Sequence, residues 1–204
     1  MELQTRFERG EDDYSPLHLF VHGKAGNLDI MRIFTRVIPT TAHKLFVEAP
    51  YPDKRGGFSW WDTDTEVFPK EQFEQAQTAL VETIVRFRDQ ERLNALPIAA
   101  LGFSQGSGIL TSLQLGGRYQ FEKIAILAGF VKWPEGDPVV TPKTKFFWGH
   151  GEQDEVVSIA RAERDVRRLL ELGYQVDFVK DPVGHKVGSS AMRSLKSFFE
   201  TVDY

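Results

Sequence analysis

Gly102, Ser104 and Gly106 form a G-x-S-x-G motif in the middle of the chain. A run of apolar residues from Pro97 to Leu101 leads into the motif, and apolar residues at helical spacing follow it, so a buried strand is predicted to turn sharply into a helix. A serine at the tip of such a turn can expose its hydroxyl as a nucleophile, while glycines two residues away avoid collisions with the neighbouring strand and helix. The first N–H groups of the helix would suit an oxyanion. The motif therefore favours nucleophilic attack on a carbonyl by Ser104 over a plain structural turn.

A serine hydroxyl needs a general base, and the base needs an orienting acid. Of the five histidines, His185 is the predicted base, because it alone follows the plausible acids, as the chain order Ser-Asp-His requires. His18 is expected in the core and His43 at the surface. His22 and His150, each at the end of a predicted strand, could hold a loop by hydrogen bonding.

The orienting acid is expected in the loop formed by residues 149–157, which offers Glu152, Asp154 and Glu155. Asp154 is the best candidate, since it comes just before the chain turns toward a helix. A metal site built from His150, Glu152 and Asp154 is the rival interpretation, but that spacing matches no standard metal motif. No metal or other cofactor is expected.

An oxyanion needs two N–H donors. The backbone N–H of Gln105, directly after the serine, is one candidate. The other is the backbone N–H of Lys24, in the small-residue loop that follows the first buried strand, unless that loop is only a turn. Trp60 and Trp61 lie in a predicted irregular loop, residues 49–64, where they either wall one side of a substrate pocket or pack in the core.

Strands and helices alternate along the chain, which predicts an α/β fold with a mostly parallel sheet flanked by helices. A single domain covers residues 1–204, with an N-terminal edge strand and turn within residues 1–16. The main strands are predicted at residues 17–21, 44–48, 97–101, 123–127, 144–148 and 174–179. Helices are predicted at residues 28–37, 69–93, after the serine, 158–172 and 189–202.

Composition limits the function classes. The 204 residues are 41% hydrophobic and 26% charged, as expected for one soluble globular domain. The net charge of −4 and the absence of a basic run argue against a nucleic-acid partner. No apolar run is long enough for a membrane span, and the N-terminus does not resemble a secretory signal. The absence of cysteine excludes disulfides, a thiol nucleophile and thiolate zinc sites. A cytoplasmic location is expected, and a homodimer is left open.

Several motifs together resemble the α/β-hydrolases of the phospholipase/carboxylesterase family, which includes acyl-protein thioesterases and small carboxylesterases. The segments that carry the resemblance are Phe20-Val21-His22-Gly23, Ala49-Pro50, Ser59-Trp60-Trp61-Asp62, Gly102-Phe103-Ser104-Gln105-Gly106, Gly149-His150-Gly151 with Asp154, and Gly184-His185. Two positions depart from the family pattern: Ala25 replaces a glycine, and Trp61 replaces the more usual Phe.

The resemblance implies a single-domain hydrolase of small-molecule carboxylic esters or thioesters, with Ser104, Asp154 and His185 as its triad. Acyl-protein thioesterase or lysophospholipase-like activity is the main alternative, ahead of a peptidase, an acyltransferase or a non-catalytic binding protein. The connection formed by residues 130–143 holds three prolines and is too short for a helical cap domain. An open site for short- to medium-chain acyl groups is therefore expected.

Overall fold

The computed structural model describes residues 1–200. The strands are β1 (Thr5–Glu8), β2 (Leu17–Val21), β3 (His43–Val47), β4 (Tyr51–Pro52), β5 (Phe58–Ser59), β6 (Ile98–Phe103), β7 (Lys123–Leu127), β8 (Lys145–Gly151) and β9 (Gln175–Asp181). The helices are a 3-10 helix (Ile30–Val37), α1 (Lys70–Glu91), α2 (Gln105–Leu115), α3 (Ile159–Glu171) and α4 (Ser189–Glu200).

Seven strands form one sheet in the order β1-β3-β2-β6-β7-β8-β9. Only the edge strand β1 is antiparallel to its neighbour, and every other pair is parallel. The central strands β2 and β7 are buried at every position, because helices cover both faces of the sheet. This is the predicted α/β-hydrolase fold class.

Two apolar clusters form the core, one on each face of the sheet. The larger cluster includes Leu80 of α1, Leu113 of α2 and Leu169 of α3. The smaller cluster includes Phe34 of the 3-10 helix and Leu195 of α4. The burial of these side chains fixes the helices against the strands, so that the loops at the carboxyl ends of the parallel strands share one edge.

Three local predictions need correction or completion. The helix predicted over residues 28–37 is a 3-10 helix, Ile30–Val37. The loop predicted as irregular over residues 49–64 contains the small hairpin β4–β5. The surface prediction for His43 is wrong: its ring is fully buried, and its Nδ1 accepts a hydrogen bond from Gly10 N at 3.1 Å. The turn at Gly10 crosses over the start of β3, a tertiary contact that strand position alone does not reveal.

The remaining boundaries agree with the predictions to within a few residues, although the last two residues of the helix predicted over 189–202 lie outside the described chain. Residues 130–143 form neither helix nor strand, so this connection carries no cap helix. Within residues 1–200 no helix is long and apolar enough to cross a membrane.

Candidate active site

Ser104 lies between the end of β6 and the start of α2. Its backbone has φ 50° and ψ −114°, a sparsely populated positive-φ conformation that costs a non-glycine residue on the order of 1–3 kcal/mol. Two hydrogen bonds hold this turn: Ser104 N donates to Leu127 O at 2.9 Å, and Ser107 N donates to Ser104 O at 3.0 Å. The neighbouring strand and the helix together stabilise the strained conformation.

The two motif glycines allow the turn to close. A Cβ on Gly102 would lie 2.5 Å from Ser107 N in α2, and a Cβ on Gly106 would lie 2.2 Å from Val21 O in β2. Both distances are well inside van der Waals contact with backbone atoms, which cannot move aside. These are the collisions with strand and helix that the sequence predicted.

Asp154 and His185 contact each other across two loops. His185 Nδ1 lies 2.8 Å from Asp154 Oδ2, and the Asp154 side chain is fully buried. The other carboxylate oxygen, Oδ1, accepts hydrogen bonds from Val156 N at 2.9 Å and Val157 N at 2.8 Å. Asp154 therefore has a fixed orientation, with one oxygen held by its own loop and the other available to the imidazole.

His150 supports this acid loop. Its Nδ1 accepts a hydrogen bond from Trp148 Nε1 at 3.2 Å, so its Nε2 is the donor to Val157 O at 2.8 Å. The same Nε2 lies 3.5 Å from Asp154 Oδ2. His150 holds the loop by hydrogen bonding, one of the roles considered for it. Among residues 1–200 no group of three or more His, Asp or Glu side chains could hold a metal ion.

The three proposed catalytic residues lie at the same edge of the sheet. Ser104 follows β6, Asp154 follows β8 and His185 follows β9. The ring of Phe103, the residue before the serine, packs 5.2 Å from the His185 ring, centroid to centroid. The acid and base loops are joined by Glu152 N donating to Asp181 O at 2.9 Å. Glu152 and Glu155, the competing acids, are exposed.

The loop from Gly23 to Gly26 approaches the serine closely. A Cβ on Gly23 would lie 3.2 Å from Ser104 Cβ. Gly26 pairs with Phe58 of the small hairpin through hydrogen bonds of 3.1 and 2.8 Å. Ala25, at a family glycine position, has φ 58°, the left-handed conformation that glycine adopts without strain. The hairpin β4–β5 thus fixes the loop that carries Lys24.

Two backbone N–H groups were predicted to bind an oxyanion. Gln105 is the first residue of α2, and Lys24 lies in the loop against Ser104. Within the described 200 residues, neither N–H donates to a protein acceptor. The Lys24 side chain points elsewhere, toward Asp64, with its Nζ 2.5 Å from Oδ1.

Trp60 and Trp61 pack in the core. Trp60 has no exposed surface, and its Nε1 donates to His22 O at 2.8 Å. Trp61 is 4% exposed and packs against Phe73 at 5.0 Å between ring centroids. The burial of Trp60 favours the core-packing alternative, in which the ring supports the start of the loop that carries Lys24. Contact of Trp61 with substrate stays a prediction.

Two supporting side chains were not found from the sequence. The Gln105 side chain accepts from Trp60 N at 2.9 Å and donates to Trp61 O at 2.8 Å, which ties the nucleophile turn to the tryptophan segment. Ser59 Oγ accepts from Ala25 N at 3.1 Å. In the sequence, the available signal was a polar residue next to a motif: Gln105 follows Ser104, and Ser59 precedes the tryptophan pair. The hydrogen-bond partners of these side chains depend on the tertiary fold, so the sequence does not reveal them.

His22 is buried at the start of the loop that carries Lys24. Its Nδ1 contacts Gly23 O at 2.7 Å, and its Nε2 accepts from Ala49 N at 3.0 Å. Burial lowers the pKa of His22, although the hydrogen bond to Gly23 opposes the shift. A neutral ring with its proton on Nδ1 satisfies both partners, so His22 holds the loop by hydrogen bonding.

Comparisons with known proteins bear on the family and the fold. Residues 19–203 match the family described as Phospholipase/Carboxylesterase. The chain belongs to this family. Acyl-protein thioesterase 1 of Aspergillus fumigatus is 28% identical over an alignment of 130 residues that covers 59% of this chain and 53% of that protein. The match thus spans about half the length of this curated relative.

Solved structures extend the comparison to the whole fold. The crystal structure of the Bacillus cereus carboxylesterase is similar with a TM-score of 0.86 at 18% identity, covering 97% of this chain and 93% of that chain. Zea mays acyl-protein thioesterase 2 is similar with a TM-score of 0.72 at 16% identity, covering 96% of each chain. At these identities the likeness establishes the fold.

Proposed function

We propose that this chain is a serine hydrolase that cleaves carboxylic esters or thioesters through a covalent acyl-enzyme. The observation that carries the proposal is the 2.8 Å contact between His185 Nδ1 and the buried Asp154 carboxylate, at the same sheet edge as the strained Ser104. A buried carboxylate that holds Nδ1–H leaves the His185 Nε2 lone pair free to act as a base. Family membership supports the same reaction class.

In the first half-reaction, Ser104 Oγ attacks the substrate carbonyl while His185 Nε2 takes the hydroxyl proton. Asp154 keeps the imidazole in the required tautomer and stabilises the imidazolium. The oxyanion accepts hydrogen bonds from Gln105 N and Lys24 N, the two N–H groups without a protein acceptor among the described residues. The imidazolium then protonates the leaving oxygen or sulfur as its bond to the carbonyl carbon breaks.

In the second half-reaction, water attacks the acyl-enzyme and His185 again acts as the base. Collapse of the second oxyanion releases the carboxylic acid, and His185 returns its proton to Ser104. None of these steps calls for a metal or an organic cofactor. The proposed substrates are esters or thioesters of short- to medium-chain acids, because the connection formed by residues 130–143 provides no helical cover over the site.

A panel of acyl esters and thioesters of graded chain length tests the proposal, with Ser104→Ala as the control for background hydrolysis. Hydrolysis by the wild type and its loss in Ser104→Ala are expected. If no ester or thioester is cleaved and a fluorophosphonate probe fails to label the protein, the chain is instead a non-catalytic binding protein. The thioester members also test acyl-protein thioesterase activity, which the name of the Aspergillus relative suggests.

A further inference from the structure

A small apolar cavity lies beside the candidate active site, between the 3-10 helix and the start of α4. Its volume is about 330 Å³, at the lower end of the range for small-molecule sites. The apolar side chains that line it are Ile30, Met31, Ile33, Phe34, Phe103, Val187 and Met192. Ile30 and Ile33 are each 57% exposed, so the cavity wall presents two large aliphatic side chains to solvent.

Three lining residues connect the cavity to the catalytic groups. Gly23, in the oxyanion loop, would place a Cβ 3.2 Å from Ser104 Cβ. Phe103 precedes the serine, and its ring centroid lies 5.2 Å from that of the His185 ring. Lys186 directly follows His185. The cavity is therefore on the side of the nucleophile where the base is located.

The charged residues of the cavity wall are all cationic: Lys24, Arg36 and Lys186. Lys24 is paired with Asp64. Within the described residues, neither Arg36 nor Lys186 has a carboxylate within salt-bridge distance. A ligand with a positive headgroup would meet like charges at this rim, whereas a neutral ligand would gain from apolar burial.

We propose that this cavity binds the leaving group of the substrate, and that the preferred leaving group is an uncharged aliphatic alcohol or thiol. The inference rests on the proposed function. The His185 imidazolium delivers its proton to the leaving oxygen or sulfur, so the departing group must lie on the His185 side of the carbonyl carbon. The cavity wall includes Phe103, whose ring contacts the His185 ring, and Lys186, the residue after His185.

The acyl chain is then assigned to the aromatic cluster of Trp61, Phe68 and Phe130, whose rings contact one another and do not line the cavity. Gly108, one turn into α2, would place a Cβ 2.7 Å from the Phe130 ring. Lys132 Nζ lies 3.7 Å above the Phe68 ring centroid. This cluster is separate from the residues that line the leaving-group cavity, so the two parts of the substrate can be tested independently.

Two ester series test the assignment by kinetics. The acetate esters of the alcohols from methanol to 1-hexanol vary only in the leaving group. The methyl esters of the acids from acetic to hexanoic acid vary only in the acyl chain. The test variant is Ile30→Gln/Ile33→Gln, and the control is Val85→Gln on α1, where a valine that is 46% exposed does not line the cavity.

For hexyl acetate, kcat/KM of the double variant is expected to fall by about tenfold, because burial of several methylenes is lost. The loss should shrink as the alcohol shortens, and it should not grow with acyl length. A loss that follows acyl length would assign the cavity to the acyl chain and overturn the proposal. The wild-type protein should also hydrolyse 3,3-dimethylbutyl acetate faster than acetylcholine, its cationic isostere. The reverse order would contradict the claim that the cavity prefers a neutral ligand.

A binding experiment separates this proposal from the proposed function. Met31 and Met192 line the cavity, whereas Met1 lines a different surface depression. In ¹³C-methyl-methionine NMR of the wild type, 1-hexanol should shift the Met31 and Met192 signals and leave Met1 unchanged. These shifts without any ester hydrolysis would support the site and reject the reaction. Unchanged Met31 and Met192 signals in the presence of hydrolysis would reject the site alone.

Discussion

Replacing Asp154 with Asn tests the acid role through its hydrogen-bond geometry. Val156 N and Val157 N both donate to Oδ1, at 2.9 and 2.8 Å, so an amide must place its oxygen there. The amide NH₂ then occupies the Oδ2 position, 2.8 Å from His185 Nδ1. An NH₂ group there can donate only to an unprotonated Nδ1, which moves the His185 proton to Nε2 and removes the base.

The wrong tautomer and the lost carboxylate charge should together lower kcat by about 10⁴, equivalent to about 5 kcal/mol of transition-state stabilisation. The assay is initial-rate hydrolysis of a p-nitrophenyl ester, with thermal unfolding to show that the variant is folded. The matched control is Glu152→Gln, an exposed residue two positions away, for which kcat should change less than about twofold. Retention of more than a tenth of the activity by Asp154→Asn, or an equal loss in Glu152→Gln, would refute the reasoning.

Four further predictions follow from the same geometry. In Ser104→Ala, kcat should fall by a factor on the order of 10⁴ to 10⁶ while the circular dichroism spectrum stays unchanged. Retention of more than a tenth of the wild-type activity would contradict the assignment of Ser104 as the nucleophile. The rate should saturate smoothly as an ester crosses its solubility limit, and a sharp rise there would reveal interfacial activation and reject the open site. Trp60→Phe removes the donor to His22 O and should lower the free energy of unfolding by about 1–3 kcal/mol in urea titrations; no change would show that this carbonyl finds another partner. Burial lowers the pKa of His18 from 6.5 to about 3, so unfolding takes up a proton below pH 6.5 and stability falls from there toward pH 3. Between pH 7 and pH 4 the free energy of unfolding of His18→Phe should therefore fall by about 3 kcal/mol less than that of the wild type. Equal decreases in the two proteins would contradict a neutral buried His18 ring.

Much of the fold was predictable because the signals were local. The apolar run at 17–21 is buried at every position, as its composition indicated, and it is β2. The glycines of the nucleophile turn could be explained before the structure was known, since a Cβ at Gly102 or Gly106 meets backbone atoms that any strand-turn-helix must place there. The alternation of strands and helices predicted the parallel sheet and the shared edge at which the strand-end loops meet.

Features that depend on distant contacts were not predictable in this way. His43 was expected at the surface because nothing near it in sequence indicated that Gly10 would cover its ring. The hairpin β4–β5 consists of two-residue strands, too short for a periodic pattern. The apolar cavity needs the 3-10 helix and α4 to meet, and these elements are more than 150 residues apart in the chain.

The central claim is that Ser104 forms a covalent acyl-enzyme, and mass spectrometry of the trapped protein tests it most directly. After reaction with a fluorophosphonate, the intact wild type should gain one adduct, and peptide fragmentation should place it on Ser104. Ser104→Ala should remain unmodified, and Asp154→Asn should react much more slowly, because its His185 cannot take the serine proton. An adduct on any other residue, or equal labelling of Ser104→Ala, would contradict the account.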